Sequence, residues 1–288
     1  MTSAALESPN VGLAAVGAVD ASRCVAELDG SNGSEAAWPN LFVVPAYNEE
    51  ENLPRLLTDL ENRPWLFPPG SRLIIVDDGS TDRTAAVVAS YAGPLPVELV
   101  QLGANEGPGA AFRVGFAAAL RDLPFLSGDE LVVTLEADTT SDLDALPVML
   151  ARAEAGAELV LASVHRGGRM LNVSRPRRIL SRCAGFVARR ALDVDAATVS
   201  SFFRVYRGSL LRRALELHGD DLIRESGYAC KAELLAKLAR LGARIEEVPV
   251  DLDGSRRIGE SKMRVLPTVA GYWRVIVRQR GSREPLSP

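Results

Sequence analysis

From Trp38 onward, short apolar runs alternate with stretches whose apolar residues recur at helical spacing. The runs are "LFVVPA", "RLIIVDD", "VELVQL", "ELVVTLEAD" and "ELVLAS", and the helical patterns cover 49 to 62, 82 to 92, 108 to 121 and 143 to 155. Strand-like runs alternating with helices predict an α/β fold with a mostly parallel sheet and helices on both faces. Past residue 165 the rhythm changes. An Arg-rich loop and helix over 166 to 192 leads to a short strand "FFRVYR", helices over 208 to 218 and 227 to 241, a strand "IEEVPVDL" and a last helix from about 263 to 279. Residues 1 to 38 are small, rich in Ser, Ala and Gly and without sustained periodicity, which predicts a flexible tail. The chain thus divides into a tail (1–38), a folded domain (39–262) and a basic amphipathic helix with its own tail (263–288).

Composition narrows the class. With 288 residues and 47% hydrophobic content the chain can build a sizeable core. No run of about 18 uncharged apolar residues appears, and "VGLAAVGAV" lacks the positive flank of a signal peptide, so any membrane contact is expected to be peripheral. Three scattered cysteines, Cys24, Cys183 and Cys230, form neither a disulfide framework nor a zinc pattern, which favours a reducing, cytoplasmic setting. Two histidines, His165 and His218, are too few for a His-based metal site. The net charge of -4 hides an asymmetry. Eight arginines and no acid lie between Arg166 and Arg190, and eight basic residues face one acid, Glu260, between Arg256 and Arg283. Crowded like charges favour an anionic partner such as a lipid phosphate or a diphosphate, against the simpler reading of a solvated face.

The acids cluster where an open α/β sheet binds ligands, at the carboxyl ends of the strands. Glu49 follows the first strand, Asp77 and Asp78 close the second, and Glu136 and Asp138 close the fourth. Unpaired carboxylates so close to an apolar layer need a cation or a donor-rich ligand. No G-x-G-x-x-G follows the first strand and no G-x-x-x-x-G-K-[ST] occurs, so neither a dinucleotide fold nor a P-loop is supported. "GANEGPGAAF" opens a helix with glycines, which either offers N–H groups to a phosphate or simply starts that helix.

Together, "VPAYNEEENL", "IIVDDGSTDRT", "NEGPGAA" and "TLEADTT" resemble, in order and spacing, the inverting nucleotide-sugar transferases of the GT-A fold, family 2. "ASVHRGG", "RRILSRCAGFVARR", "SSFFRVYR", "GYACKAELLAKLARLGARIEEVPV" and "RRIGESKM" look like its polyprenyl-phosphate (dolichol-phosphate) mannose synthase branch. The likeness spans residues 40 to about 265, which makes 39–262 the expected catalytic domain.

The resemblance implies that Pro45, Tyr47, Glu49, Asp77, Asp78 and Gly107 hold the nucleotide sugar, together with Glu136 and Ala137. It makes Glu136-Ala137-Asp138 the counterpart of a D-x-D motif whose carboxylates bind Mg²⁺ or Mn²⁺, hard cations that favour oxygen. Alone, Glu136 also reads as an acid capping the next helix. The likeness places Asp138, Arg177, Arg178 and Arg204 in the catalytic machinery, with Arg166, Arg256 and Lys262 around the acceptor phosphate. Three positions depart from the pattern: Glu136 replaces an aspartate, Thr140 stands where many relatives carry glutamine, and Phe202 replaces a glycine. Tyr228 and Cys230 read as core or pocket wall, and His165 as structural.

The expected reaction moves a hexose, mannose from GDP-mannose, to a polyprenyl monophosphate with inversion. A soluble acceptor hydroxyl, and a silent nucleotide-binding membrane partner, remain as alternatives. Leu266, Tyr272, Trp273 and Val275 to Val277, interleaved with Arg264, Arg274, Arg278 and Arg280, predict a helix that lies in the headgroup plane of an anionic membrane, packs on the domain, or does both. The expected setting is the cytoplasmic face of a membrane, with a possible anchoring partner protein and no nucleic acid.

Overall fold

The computed structural model describes residues 38–121, 130–173, 185–186, 189–259, 262–263 and 265–281. The tail before Trp38 lies outside these, and so do Arg177, Arg178, Cys24 and Cys183.

Nine strands are present among the described residues: β1 (Asn40–Ala46), β2 (Arg72–Asp77), β3 (Val97–Gln101), β4 (Leu131–Thr134), β5 (Leu159–Ser163), β6 (Met170–Leu171), β7 (Arg204–Arg207), β8 (Ile245–Pro249) and β9 (Leu252–Asp253). Seven of them form one sheet in the order β3-β2-β1-β4-β7-β5-β8. All its pairings are parallel except those of β7, which runs against both β4 and β5. Chain order reverses between β1 and β4, creating the crevice beyond the strand ends where such sheets take their ligands. The short ribbon of β6 and β9 has no counterpart in the hydrophobic pattern, because two residues are too few to show a period.

The helices are α1 (Leu53–Glu61), α2 (Thr84–Ala89), α3 (Pro108–Leu120), α4 (Leu146–Glu154), α5 (Gly208–His218), α6 (Cys230–Arg240) and α7 (Val265–Gly281). They cover both faces. Leu41 and Val43 of β1 pack with Phe112 and Phe116 of α3 and with Leu234, Leu235 and Leu238 of α6. The intervening Phe42 and Val44 point the other way, into a cluster with α1 and α4. Leu53, Leu56, Leu57 and Leu60 of α1 are all buried there, each contributing about 1.5–3 kcal/mol relative to exposure.

Two elements begin or end differently from the apolar pattern. The helix expected from residue 49 starts at Leu53, because Glu49 carbonyl first accepts from the N–H groups of Asn52 and Leu53 in a turn. The strand expected through Asp138 leaves the sheet after Thr134. Leu135 and Ala137 stay buried past that point, so the pattern reports burial while the ladder has already ended.

α7 divides its surface by chemistry. Gly271, Val275, Ile276 and Gln279 face inward, and a methyl at Gly271 would stand 3.0 Å from the Ala229 side chain. Outward stand Leu266, Val269, Trp273 and Val277, with Leu266 82% and Trp273 67% exposed. Among the described residues no helix is long and apolar enough to cross a membrane.

Candidate active-site cleft

The strand ends open into a cleft of about 1350 Å³. Its wall includes Pro45, Tyr47, Glu49, Asp78, Gly107, Glu136, Ala137, Asp138 and Lys262, all expected from the sequence to bind donor, metal or acceptor. Glu136 and Asp138 therefore share one space with Glu49 and Asp78.

Past β1, Asn48 turns the chain at φ 54° while its side-chain oxygen accepts from Thr81 N–H at 2.8 Å. Glu49 is almost buried, and its carboxylate is claimed on both sides. Asn52 Nδ2 donates to one oxygen at 2.7 Å and Lys262 Nζ to the other at 2.6 Å. Asn52 also clamps the backbone of Ile258, accepting its N–H and donating to its carbonyl. Burial alone would raise Asp82, but the Thr84 hydroxyl, the N–H groups of Thr84 and Glu50 and the charge of Lys262 hold it below the usual carboxylate range.

Asp78 accepts from the N–H groups of Glu106 and Gly107 at 2.8 and 2.9 Å. Its burial outweighs those bonds and, with the charges of Glu106 and Asp77, leaves its carboxyl above the ordinary value. The Gly-rich turn thus spends these two N–H groups on the protein itself. Gly107 has φ 91°, and a Cβ there would come within 2.5 Å of the Ser226 carbonyl oxygen, so only glycine fits. Asp77 differs from expectation: its carboxylate accepts from Ser80 N–H at 3.1 Å and braces the β2 turn, and the side chain is absent from the cleft wall.

Past β4, Asp138 is held on both oxygens. One accepts from the Thr140 hydroxyl at 2.7 Å and from Thr140 N–H at 3.1 Å. The other takes the forked guanidinium of Arg257, with Nε at 2.7 Å. Thr139 between them sits at φ 60°, a left-handed conformation costly for a β-branched residue. Its hydroxyl donates to the Arg256 carbonyl at 3.1 Å, which ties the strained turn to the loop carrying Arg257. Thr140 therefore orients the carboxylate of Asp138.

Arg256, expected at the acceptor phosphate, is absent from the cleft wall, and Arg257, to which the sequence assigned no role, lines it. Arg256 turns away from the cleft to Asp59 of α1 at 3.0 Å, and Arg257 enters. Arg166 also stands apart, pairing at 3.0 Å with Glu247, whose carboxylate caps the N–H groups of Ala197 and Thr198. Arg204 is 1% exposed and lies behind the cleft wall. Its guanidinium donates to the carbonyls of Lys231 and Val199 at 3.0 and 3.2 Å. That position braces the wall and denies it the direct catalytic contact expected from the sequence.

Phe202, the bulky replacement noted above, stacks on Phe112 with centroids 4.7 Å apart and lines the cleft. Lys231 Nζ sits 3.9 Å from the Phe202 ring centroid, and Tyr228 joins the same wall. Cys230 is buried and free, and burial pushes its thiol up to about 12, which makes it inert core. Sequence reasoning missed Lys231, Arg257 and Asn52. Arg257 neighbours the expected Arg256 in "RRIG", but its inward orientation follows from the Asn52 clamp on Ile258, which leaves no local signal.

Glu136 and Asp138 offer the hard oxygen donors that Mg²⁺ or Mn²⁺ prefers, and Asp138 already carries a cation in Arg257, so the pocket is built to hold positive charge there. Among the described residues no group of three or more His, Cys, Asp or Glu side chains is placed to hold a metal ion.

Residues 41–215 match the family model "Glycosyl transferase family 2". The chain is 32% identical over 225 residues to an undecaprenyl-phosphate mannosyltransferase of Micrococcus luteus, covering 77% of this chain and 86% of that one. It is 30% identical over 226 residues to a polyprenol monophosphomannose synthase of Mycolicibacterium smegmatis, covering 77% and 80%. Among solved structures, glucosyl-3-phosphoglycerate synthase of Mycobacterium tuberculosis in complex with Mg²⁺ and UDP superposes with a TM-score of 0.60 at 20% identity, covering 90% of this chain and 84% of that one. The last likeness establishes a GT-A-like fold. With the family model matching more than half of the chain, and with these relatives, the protein belongs to glycosyl transferase family 2.

Proposed function

We propose that the chain transfers a mannosyl group from GDP-mannose to the phosphate of a polyprenyl monophosphate, inverting the anomeric carbon. The reading is carried by one observation: Glu49, Asp78, Glu136 and Asp138 open into a single cleft whose wall also includes Val265 and Val269 of α7, the helix with an exposed apolar stripe. A polar donor site and a lipid-facing helix meet there. The two relatives named for transfer to undecaprenyl phosphate and polyprenol support the acceptor class.

In the reaction an acceptor phosphate oxygen bonds to the anomeric carbon, the bond from that carbon to the diphosphate breaks, and its electron pair leaves on GDP. The acceptor is already an anion near neutral pH, so no general base is needed and the work is alignment and charge control. Mg²⁺ or Mn²⁺ held by Asp138 and Glu136 would supply positive charge to the departing diphosphate. Thr140 fixes the Asp138 carboxylate for that task, and Arg257, once displaced from Asp138, would be free to pair with the same diphosphate. Glu49 and Asp82 accept hydrogen bonds from the nucleoside. Arg177 and Arg178, outside the described residues, are proposed to assist at the acceptor phosphate.

The outward stripe of Leu266, Val269, Trp273 and Val277 would lie on the lipid surface. The arginines do less there than the sequence suggests, because Arg274 turns inward to the buried Glu225 at 2.5 Å and Arg278 follows at 3.9 Å. Peripheral placement on the cytoplasmic face of a membrane follows as part of this reading.

The test is transfer by purified protein from a panel of GDP- and UDP-sugars to polyprenyl phosphate with Mg²⁺ or Mn²⁺, read by mass spectrometry of the lipid. Mannosyl-phosphoryl-polyprenol is the expected product. Transfer only to a soluble hydroxyl, or GDP binding without any product, overturns the reading.

A further inference from the structure

Three cations of the described residues line the cleft, and two already hold carboxylates: Arg257 holds Asp138 and Lys262 holds Glu49. Lys231 is the third. It is only 8% exposed, and among the described residues its ammonium makes no ion pair and no hydrogen bond. Its company is two rings, with centroids 3.9 Å away at Phe202 and 5.5 Å away at Tyr228. Glu136 attracts it from longer range, Arg204 repels it, and burial pulls its pKa down. Burying an ion costs several kcal/mol, of which cation–π contacts offset about 0.5–2 kcal/mol. A buried ammonium left short of partners on the wall of a binding cleft is poised for an anion.

Sheet order indicates which anion. The acids of the nucleoside end stand past β1 and β2, the metal-binding pair past β4, and Phe202 just ahead of β7, the next strand over. Phe202, whose ring carries the Lys231 ammonium, therefore stands on the opposite side of β4 from β1 and β2 in the sheet order. Lys231 stands on α6, the helix against which α7 packs. A phosphate carried on a lipid tail and arriving beside Val269 enters on this side. With a divalent cation on Glu136 and Asp138, a bare ammonium nearby would be repelled unless a second anion came between them.

We propose that Lys231 binds the monophosphate of the lipid acceptor and positions it for attack, with Phe202 and Tyr228 as the platform that fixes the ammonium. This rests on the transferase reading above. The phosphate chemistry has a second possible source, the donor diphosphate, and the experiment separates the two.

Full-length wild type, Lys231→Met, Lys231→Gln and Lys231→Arg are compared in three measurements: KM and kcat for polyprenyl phosphate, GDP affinity with Mn²⁺ by calorimetry, and Tm. Lys231→Met should raise the acceptor KM roughly tenfold or more, the loss expected for a charged hydrogen bond. GDP affinity should stay within about twofold and Tm should hold or rise, because an unpaired buried charge has gone. Lys231→Arg should recover part of the acceptor affinity, and Lys231→Gln little. An unchanged acceptor KM overturns the proposal, as does a fall in GDP affinity as large as the KM effect, or a lowered Tm with KM intact. A wild type that transfers nothing to polyprenyl phosphate overturns the transferase reading as well; an active wild type matched by Lys231→Met overturns this proposal alone.

Discussion

The two sides of the cleft handle charge in opposite ways. On the β1, β2 and β4 side three of the acids that line the cleft are already engaged: Glu49 by Asn52 and Lys262, Asp78 by two backbone N–H groups, Asp138 by Thr140 and Arg257. On the β7 side the cation Lys231 rests on aromatic rings without a carboxylate in contact, and the neighbouring α7 turns apolar side chains to solvent. The first region is a set of charges with internal stand-ins that a ligand must displace. The second is a set of surfaces that a ligand must complete. A donor that brings its own cation suits the first, and an amphiphile with one anionic end suits the second.

That contrast can be broken most sharply at Asp138. Asp138→Ala should lower kcat on the order of 10²–10³-fold or more, as loss of a major electrostatic contact to the leaving group does, with the circular dichroism spectrum unchanged. Wild-type turnover in that variant would remove the metal assignment. Next in size is the lipid side: Leu266→Asp combined with Trp273→Asp should weaken binding to anionic vesicles by roughly 10–100-fold, since each apolar side chain buried is worth about 1.5–3 kcal/mol. GDP affinity should not move, and a matching loss there would mean that the stripe is not a separate surface. The smallest effect distinguishes a stand-in from a ligand. Arg257→Ala frees Asp138 of its internal competitor, so Mn²⁺ binding without nucleotide should tighten by about tenfold or less by calorimetry, while kcat falls. Weaker Mn²⁺ binding would show that the guanidinium does not compete for the carboxylate.

Much of this layout was legible in the chain. Runs such as "NLFVVPA" are buried on both faces and cannot be mistaken for exposed segments, and the acids follow them directly. The Asp138 position followed from a motif. What escaped was set by tertiary contacts that leave little local trace. Lys231 sits in "CKAELLAKLAR", where a lysine at helical spacing reads as solvent-facing; only the approach of Phe202 from another part of the chain buries it. Arg204 reads as a catalytic cation by motif, yet β7 lies between β4 and β5 in the sheet interior and carries it out of reach of solvent. The choice between Arg256 and Arg257 depends on which side of an irregular loop faces in, and Asn52 fixes that by clamping Ile258.

The segment Glu225–Ser226 joins the two halves. Glu225 takes Arg274 from the last helix, while the carbonyl of Ser226 accepts Gly109 N–H at 2.8 Å, beneath the turn that frames Asp78. Removing α7 would strip the buried Glu225 carboxylate of Arg274 and Arg278, beside the turn that frames Asp78. On the proposed reading, a chain trimmed of α7 for solubility is expected to lose support at the donor side of the cleft together with its lipid-facing surface.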